Sequence, residues 1–576
     1  MLINSGPLNS LPLAGAGGLG NSEPVVVVVA PSVVWAARVM LGGEDVTAQI
    51  TGQVRIERQE SSAAIAEFSV WLPPEPIDVA AWTGRAVEIF YRELVGGVWI
   101  EEQRFSGWLE QPAFDPRNRI VSCEATDRLQ DLVEAMDVEQ IDALVGGRWS
   151  TDVYDAVDGR SRWDYAQERL SSFPAALDRS VAGALRITPW LSKAPAWTFG
   201  PGTTVDGSLA YDPAKLTDRI NKIELSIDYR YSRLRQRNQS WGWQHPDIEG
   251  ISLDSSFCQW RHNTTELPDV AMMESAVESS GYKMLTGANY LRVPLTGVYC
   301  DPPAGWQNDY PDLLLAADFV GGMRWSQPVT EQYRLTVIAP ASVAQAGEVL
   351  RRDGTAIESE TDRASNWESS TFTSIDGDAH QDALGDWVIE ERDDARLSDS
   401  VLCQVAVAAT SILSAHRENH VTWQAPTSVT MGMDLVHTLR IEDRCRAQGK
   451  LFSLVDEWDL EGQVALTTLT VAVSRGGGTG SPLVMPSPPA TQPGGSGGGA
   501  HSLPTQLRGR GLMTYDDEMD GFSGNYDEVD VGTPTESFPR RFQVTAPEVP
   551  AEHRDEITGE RQATFNVAIP DDLLEL

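Results

Sequence analysis

Two histidines near the end of a predicted helix are the first candidates for chemistry. His416 and His420 are four residues apart, a spacing at which two imidazoles on one helix face can share a metal ion. A zinc protease of this type needs a glutamate directly after the first histidine, whereas Glu418 comes two residues after it. The negative end of a helix also favours His416 and Arg417 without any metal. We therefore interpret the pair as a polar helix end and predict no metal site.

An acidic loop at residues 376–382 is the second candidate. Its carboxylates stand at alternate positions, as they do in calcium-binding loops. The loop lacks the glycine of the sixth position, and Trp387 stands where a bidentate glutamate would complete the site. We interpret this segment as a solvated acidic loop.

Nucleophile and nucleotide motifs are missing from the sequence. There is no GxSxG elbow, no GxxxxGK[ST] loop and no GxGxxG after a strand. Trp241 and Trp243 lie on one face of an extended segment beside His245, which would suit a sugar platform, but aromatic anchors for sheet packing or a subunit interface are commoner. Because no residue is assigned as nucleophile, base, metal ligand or cofactor ligand, the sequence predicts a protein that is not an enzyme.

The charge balance disfavours two classes of partner. The 576 residues include 45 basic and 83 acidic side chains, a net charge of −38. A surface this negative repels phosphate backbones and anionic lipid headgroups, so neither is expected as a primary partner. The apolar run at residues 25–30 is far shorter than the roughly 20 residues that cross a bilayer, and no basic segment precedes it. We expect a chain that is made and folds in the cytoplasm.

The pattern of cysteines also favours folding in the cytoplasm. They are odd in number and widely spaced, at Cys123, Cys258, Cys300, Cys403 and Cys445. Such a pattern contains no metal knuckle and predicts free, mostly buried thiols in a reducing environment.

Two stretches have the pattern of compact β units. Residues 34–135 contain short alternating strands at about ten-residue spacing with Gly-Gly turns between them, followed by a helix start at Asp127. Residues 396–475 contain an apolar helix at 402–415 and then four strand patterns, which predicts a second sheet unit with one packing helix. Residues 219–231 alternate polar and apolar side chains, as in a strand with one wet face.

The rest of the chain is less regular. Residues 136–215 are mixed, and residues 241–395 predict an irregular β-rich region with long loops. Residues 1–33 have the composition of an extended arm, and 476–504 that of a Pro/Gly/Ser linker. Residues 505–576 form an acidic C-terminal extension that could become ordered on a partner.

Seven segments, taken in order, resemble the tail-tip or baseplate hub proteins of phages, of the long-tailed siphophage type that is related to the hubs of contractile tails. The segments are 38–47, 104–109, 123–130, 170–190, 221–234, 415–419 and 449–469. The resemblance covers roughly residues 35–475.

The resemblance implies a fold that is mainly β with some α. It implies two hub-type β-barrels at 34–135 and at 216–240 with 396–475, separated by a middle α+β region at 136–215 and 241–395. By the same resemblance, the strand at 219–231 leaves the middle region and pairs with the late barrel. The family positions that match are Arg38, Arg104, Phe105, Gly107, Asp127, Leu129, Trp190, Asn221, Tyr229, Arg230, Tyr231 and Arg417, which are the candidates for pattern or interface residues.

The resemblance also implies a role. Hubs of this family are trimers whose six barrels form a ring that adapts a hexameric tail tube to a threefold tip. The implied location is the distal end of a virion tail, and the implied partners are a distal tail protein, a tape measure protein and a tail fibre or receptor-binding protein, with contact to the host envelope during infection. DNA would pass through the ring without being bound specifically, and an acidic lumen would repel it.

Two other functions remain open at this point. One is a secreted or surface β-rich protein that binds or hydrolyses carbohydrate, and the other is the spike base of a contractile injection system, which uses the same barrels. The absent export signal and the absent catalytic set favour the tail hub over the first.

Overall fold

The chain is mainly β with some α, as the sequence predicts. The computed structural model describes residues 24–29, 33–244, 268–285, 287–292, 314–359, 361–370, 378–492, 544, 546 and 548–576. Strands are numbered in chain order. Strands β1 to β8 are Val25–Val26, Trp35–Leu41, Glu44–Asp45, Ile50–Gln59, Ile65–Trp71, Ala86–Val95, Val98–Asp115 and Ile120–Thr126.

The remaining elements follow in the same order. Strands β9 to β19 are Ala175–Arg179, Leu185–Pro189, Trp197–Phe199, Ala210–Asp212, Lys222–Gln244, Lys283–Met284, Asn289–Arg292, Leu314–Ile338, Leu350–Ser359, His380–Gln381 and Trp387–Glu390. Strands β20 to β25 are Asn419–Pro426, Thr438–Glu442, Arg446–Asp459, Val464–Val473, Ile557–Asn566 and Leu574–Glu575. Helices α1 to α7 are Leu129–Glu134, Val138–Val145, Arg162–Ser171, Val270–Ser279, Pro340–Ala346, Asp362–Asn366 and Asp394–Ala415.

Fifteen of the described strands form one continuous sheet, which we call the main sheet. Its main strand order is β1-β11-β21-β22-β4-β5-β8-β7-β6-β2-β3. Four more strands branch from β22: β25 and β23 pair with β22, β20 pairs with β23, and β12 pairs with β20. The β2–β8 part, the first β unit, encloses a core that includes Val39, Val54, Phe68 and Ile89. Alternation along each strand places these apolar side chains on one face, as the sequence predicts.

The second β unit consists of β20–β23 with β1, β11, β12 and β25. Its core includes Trp423, Leu439, Leu454 and Val471. Strand β1 comes from the N-terminal arm and pairs in parallel with Trp197–Phe199, and Val27 enters the core. The second unit is therefore assembled from four separate parts of the chain.

A second sheet, the arm sheet, is built on two very long strands. β13 has 23 residues and β16 has 25, and they pair antiparallel along the whole of β13. At about 3.3 Å per residue the pair spans on the order of 75 Å. Near their base, β17 pairs in parallel with β13, and β24 pairs in parallel with β16.

Helix α7 covers the apolar face of the base of the arm sheet. Ile223, Leu225 and Ile227 of β13 pack there with Val401 and Ile412 of the helix. By length and composition alone α7 could cross a membrane, but 61% of its apolar window is buried inside the protein. The opposite face of the sheet is polar, which confirms the wet face predicted for this strand.

Three sequence expectations need correction here. The strand predicted at 219–231 exists, but it pairs with β16 and β17 and not with the late β unit, which receives β11 and β12 instead. Helix α7 packs on the arm sheet and not on the second β unit. β16 is one long strand within a region expected to be irregular. The alternation of polar and apolar residues shows which face of a strand meets water, but it does not identify the partner strand. In the same way, an apolar helix face does not identify the sheet on which the helix packs. This explains the first two differences.

The segment after residue 475 also differs from the expected linker and tail. Leu483 and Met485 pack against the arm-sheet core. The C-terminal residues form β24 and β25, and Phe565, Val567 and Ile569 enter the same core. Residues 1–23 and most of the acidic stretch lie outside the described residues.

Candidate functional site

The two β units meet where β22 lies beside β4. Ser453–Asp459 pairs antiparallel with Gln53–Gln59, which makes the main sheet continuous across the junction. β22 is 14 residues long and also pairs with β21, β23 and β25. One strand thus belongs to both units, and its inward side chains meet those of both.

Buried and partly buried charges fill this junction. We call them the charged seam, defined by Arg58, Glu60, Arg104, Asp178, Arg186, Arg417, Asp434, Lys450 and Asp456. All lie at or near the contact between the first unit, the second unit and the β9–β10 hairpin.

The centre of the seam is the ion pair between Arg104 and Asp456. The Arg104 Nε donates to Asp456 Oδ2 at 3.0 Å and Nη2 donates to Oδ1 at 2.9 Å, and both side chains are fully buried. The guanidinium also donates to the Thr430 carbonyl at 3.1 Å. Burial acts to lower the pKa of Arg104, but the charges and hydrogen bonds of Asp456 and then Glu102 outweigh it and hold that pKa above its usual value. The pair is therefore charged and bidentate, which fixes its orientation.

Glu60 binds two cations, Arg417 just before β20 and Lys450 on β22. Its carboxylate accepts from Arg417 Nη2 at 2.9 Å and from Lys450 Nζ at 2.6 Å. Burial lowers the pKa of Lys450, and the neighbouring Glu60 opposes that shift. Arg417 also lies over the ring of Trp190, 5.6 Å from its centroid.

Asp434 binds two arginines in the remaining part of the charged seam. It accepts from Arg58 Nη1 at 3.0 Å and from Arg186 Nη1 at 2.6 Å, and Arg186 Nε in turn donates to Asp178 at 2.6 Å. Burial acts to raise the pKa of Asp434, but the hydrogen bond from Arg186 and the charge of Arg58 outweigh it and lower that pKa to about 2. Burial raises the pKa of Asp178.

The seam is suited to holding two parts of the chain together. Each of its carboxylates accepts from at least one cation of the seam, so their charges are compensated within the fold. Within the described ranges, no group of three or more His, Cys, Asp or Glu residues is placed to hold a metal ion. A bidentate or shared ion pair tolerates little displacement, so these contacts specify one relative placement of the two β units.

The structure brings only some of the sequence-predicted residues to this place. Arg104 and Arg417 belong to the charged seam, and Trp190 lies against Arg417. Arg38 lies on the outer face of β2, where it pairs with Glu101 at 2.9 Å.

The other first-unit candidates have structural contacts. Phe105 is in the first-unit core and Leu129 is in the core of the α1–α3 layer. A Cβ on Gly107 would lie 2.4 Å from the Thr126 carbonyl oxygen, so β7 and β8 can approach closely only at a glycine. Asp127 accepts from the Leu129 amide at 3.1 Å at the start of α1.

The last four candidates lie at the base of the arm sheet. Asn221 donates to the Gly347 carbonyl at 2.7 Å and accepts from the Val349 amide at 2.8 Å. Tyr229 and Tyr231 are buried against α7, whereas Arg230 is exposed and pairs with Glu358 at 3.3 Å. Whether any of the twelve also serves a contact between chains stays a prediction.

Sequence reasoning missed most of the seam. On β4, the alternate positions that point inward are Val54 and Ile56, and Arg58 and then Glu60 continue this alternation. On β22, Asp456 lies between Leu454 and Trp458 at the alternate positions that point inward. A charged side chain in the apolar phase of a strand is therefore the signal that could have found them.

The earlier chemical candidates have structural roles. His416 Nε2 lies 2.7 Å from Ser342 Oγ and its Nδ1 lies 2.8 Å from the Ile412 carbonyl, while His420 stacks on Phe452. Trp241 and Trp243 are buried in a core of the arm sheet, which agrees with sheet packing.

The acidic loop and the cysteines are partly described. Asp378 pairs with Arg363 at 3.0 Å, and Asp382 pairs with Arg235, while residues 376 and 377 lie outside the described ranges. Cys123, Cys403 and Cys445 are free and buried. His245, Cys258 and Cys300 lie outside the described ranges.

Comparison with known proteins returns distant structural similarity. No protein-family model and no curated protein sequence matches the chain. A 43 kDa tail protein of prophage MuSo2 from Shewanella oneidensis is 11% identical with a TM-score of 0.35, over 76% of this chain and 98% of that one. A tail protein from Neisseria meningitidis is 10% identical with a TM-score of 0.36, over 76% and 96%.

A third similar structure is a Francisella PdpA–VgrG complex. It is 6% identical with a TM-score of 0.30, over 77% of this chain and 53% of that one. Similarity at this distance does not by itself assign a function to the chain.

Proposed function

We propose that the chain is a structural hub of a phage tail tip. The observation that carries the proposal is the junction of the two β units, which share one continuous sheet and are held in register by the charged seam. A chain that must present two β units at a fixed angle needs such a junction, because a flexible tether would let each unit rotate separately.

Three copies of such a chain form the proposed assembly. A trimer presents six β units, and six units in a ring match a hexameric tail tube on one side while the assembly stays threefold on the other. The long β13–β16 pair provides a stiff extension of each copy away from that ring.

The proposed ring surrounds the path of the DNA. With a net charge of −38, the chain repels a phosphate backbone, and this allows DNA to pass without being held. The partners in this proposal are a distal tail protein, a tape measure protein and a fibre or receptor-binding protein at the far side, with host-envelope contact during infection.

Immunogold labelling of virions that encode this chain tests the proposal. Antibody raised against the full chain should label one end of the tail, at the end away from the capsid. Label spread along the tube, or a chain found only in the soluble lysate, would contradict a hub and would favour a separate surface-binding protein.

A further inference from the structure

The C-terminal residues form a strap across the arm sheet. We use "C-terminal strap" for residues 548–576. The Trp325 indole Nε1 donates to the His553 carbonyl at 2.7 Å, and Gln327 Nε2 donates to the Glu552 carbonyl at 3.0 Å. Ten residues of β24 then pair with β16, and β25 pairs with β22 of the main sheet. The strap therefore joins the arm sheet to the main sheet.

The side chain of His553 is buried where the strap meets β13. Its Nδ1 lies 3.2 Å from Nη2 of Arg237, and 5% of the residue is exposed. A guanidinium can only donate hydrogen bonds, so Nδ1 must be unprotonated and must accept. Nε2 then carries the proton, and it has no hydrogen-bond partner among the described residues. The nearest carboxylate oxygen, on Glu552, is 3.7 Å away.

The surroundings of His553 do not compensate a positive charge on its imidazole in addition to those of Arg235 and Arg237. The charged groups on the elements packed around it are Arg235 and Arg237 on β13, Asp382 and Asp386 before β19, and Glu552 and Arg554 on the strap. Both oxygens of Asp386 are already bound by guanidinium groups, at 2.8 to 3.0 Å. Glu552 is the one anion that could move closer, and its side chain is 65% exposed to water.

We propose that His553 makes the C-terminal strap an acid-sensitive latch: its protonation breaks the hydrogen bond from Arg237, places a third cation beside Arg235 and Arg237, and releases the strap from the arm sheet. The Arg235 and Arg237 side chains remain paired with Asp386, so the change is confined to the strap side of the contact.

The direction of the pH effect on strap docking follows from the shift in the pKa of the His553 imidazole. Burial first, and then the charges of Arg235 and Arg237, lower the pKa of His553. A docked strap therefore binds a proton less readily than a released one. The docked state is fully favoured above the ordinary histidine pKa of about 6.5 and loses stability as the pH falls below it.

Hydrogen exchange followed by mass spectrometry tests the latch in the full chain. Exchange of the β24 amides is compared at about pH 7.5 and about pH 5, with labelling times adjusted for the intrinsic effect of pH, and with β4 amides as the internal reference. We expect β24 exchange to rise relative to β4 at the lower pH, by about tenfold for each unit by which docking lowers the pKa. The change should reverse on return to the higher pH.

His553→Asn is the matched variant, because its Oδ1 takes the position of Nδ1 and can still accept from Arg237 but does not titrate in this range. It should abolish the response, whereas His380→Gln, which removes an exposed imidazole on β18, should leave it intact. Wild-type β24 that stays as protected at the lower pH as at the higher one would overturn the proposal whatever the variants do. So would a His553→Asn protein that keeps the full response.

Discussion

Arg104 and Asp456 are fully buried in the same contact, and neither has water to replace its partner. Replacing Asp456 by Asn removes the buried counterion of the Arg104 guanidinium and leaves it only the partly exposed carboxylate of Glu102, at 3.1 Å. We expect the free energy of unfolding to fall by about 3–5 kcal/mol, since breaking one side of a buried pair has a cost of that order. Chemical denaturation of the two proteins under the same conditions measures the difference.

Glu457→Gln is the control for this substitution. Glu457 follows Asp456 on the same strand but points outward, with 38% of its side chain exposed and Arg55 at 3.6 Å. We expect a change within about 1 kcal/mol there. If Asp456→Asn were as mild as Glu457→Gln, the seam would not hold the junction.

Asp434 gives the seam a dependence on acid. Its pKa of about 2 in the folded chain lies below the ordinary aspartate value of 3.8, so its contribution is present above about pH 4 and is lost as the pH falls towards 2. The shift corresponds to about 2 kcal/mol. Urea unfolding at several pH values should show a steeper loss for the wild-type chain than for Asp434→Asn. Parallel curves for the two proteins would contradict this assignment.

Individual residues could be predicted from sequence only where they followed the common pattern. Phe105 and Leu129 are buried, and their positions in the apolar pattern of β7 and α1 account for this. Asp456 stands in such a pattern too, but its partner is 352 positions away, and no local pattern encodes a pairing of that range. The resemblance led to Arg104 and Arg417 but not to their anions.

At the scale of elements, the strands were predictable and their partners were not. Residues 219–231 have a clear alternation, and β13 includes them. Its partner β16 contains Gly321, Gly322 and Pro328, residues that interrupt strand patterns in a sequence. Gly321 is needed because a Cβ there would lie 2.6 Å from the Trp241 ring. Tertiary packing therefore makes β16 a strand, although its glycines and proline argue against a strand locally.

The close approach of β7 and β8 depends on Gly107. A methyl group at this position meets the Thr126 carbonyl at 2.4 Å, which is backbone and cannot rotate away. We expect Gly107→Ala to lower the free energy of unfolding by about 1–3 kcal/mol, the range for overpacked sites. Thermal unfolding measures it.

Gly200→Ala serves as the control for Gly107→Ala, because a Cβ at Gly200 has no heavy atom within 4 Å and its backbone does not require glycine. It should be nearly neutral. Equal effects at the two glycines would show that the strand approach is not what makes Gly107 necessary.

The C-terminal strand contributes to the core of the arm sheet. Phe565 is 7% exposed and packs with residues of β13, β16 and α7. We expect Phe565→Ala to cost about 3–5 kcal/mol, as for other large-to-small core substitutions. The exposed neighbour Thr564 provides the control, and Thr564→Ala should change stability by less than about 0.5 kcal/mol. A Phe565→Ala protein as stable as its control would mean that the strap is only loosely attached.

At the scale of the whole molecule, the mainly β fold with some α was predictable, because short alternating strands and Gly-Gly turns are local signals. The joining of both β units in one sheet was not, because it depends on the pairing of β4 with β22 across almost four hundred residues. Long-range pairing also brings Val25–Val26 of β1 and Leu574–Glu575 of β25 to the second unit.

The central claim is that this fixed pair of β units builds a ring. Light scattering of the purified full chain, with negative-stain images of the same peak, tests it most directly. We expect a mass of three times 63.0 kDa and particles with threefold symmetry, six β units and a central opening. Particles of another closed symmetry, or a trimer without an opening, would contradict the account.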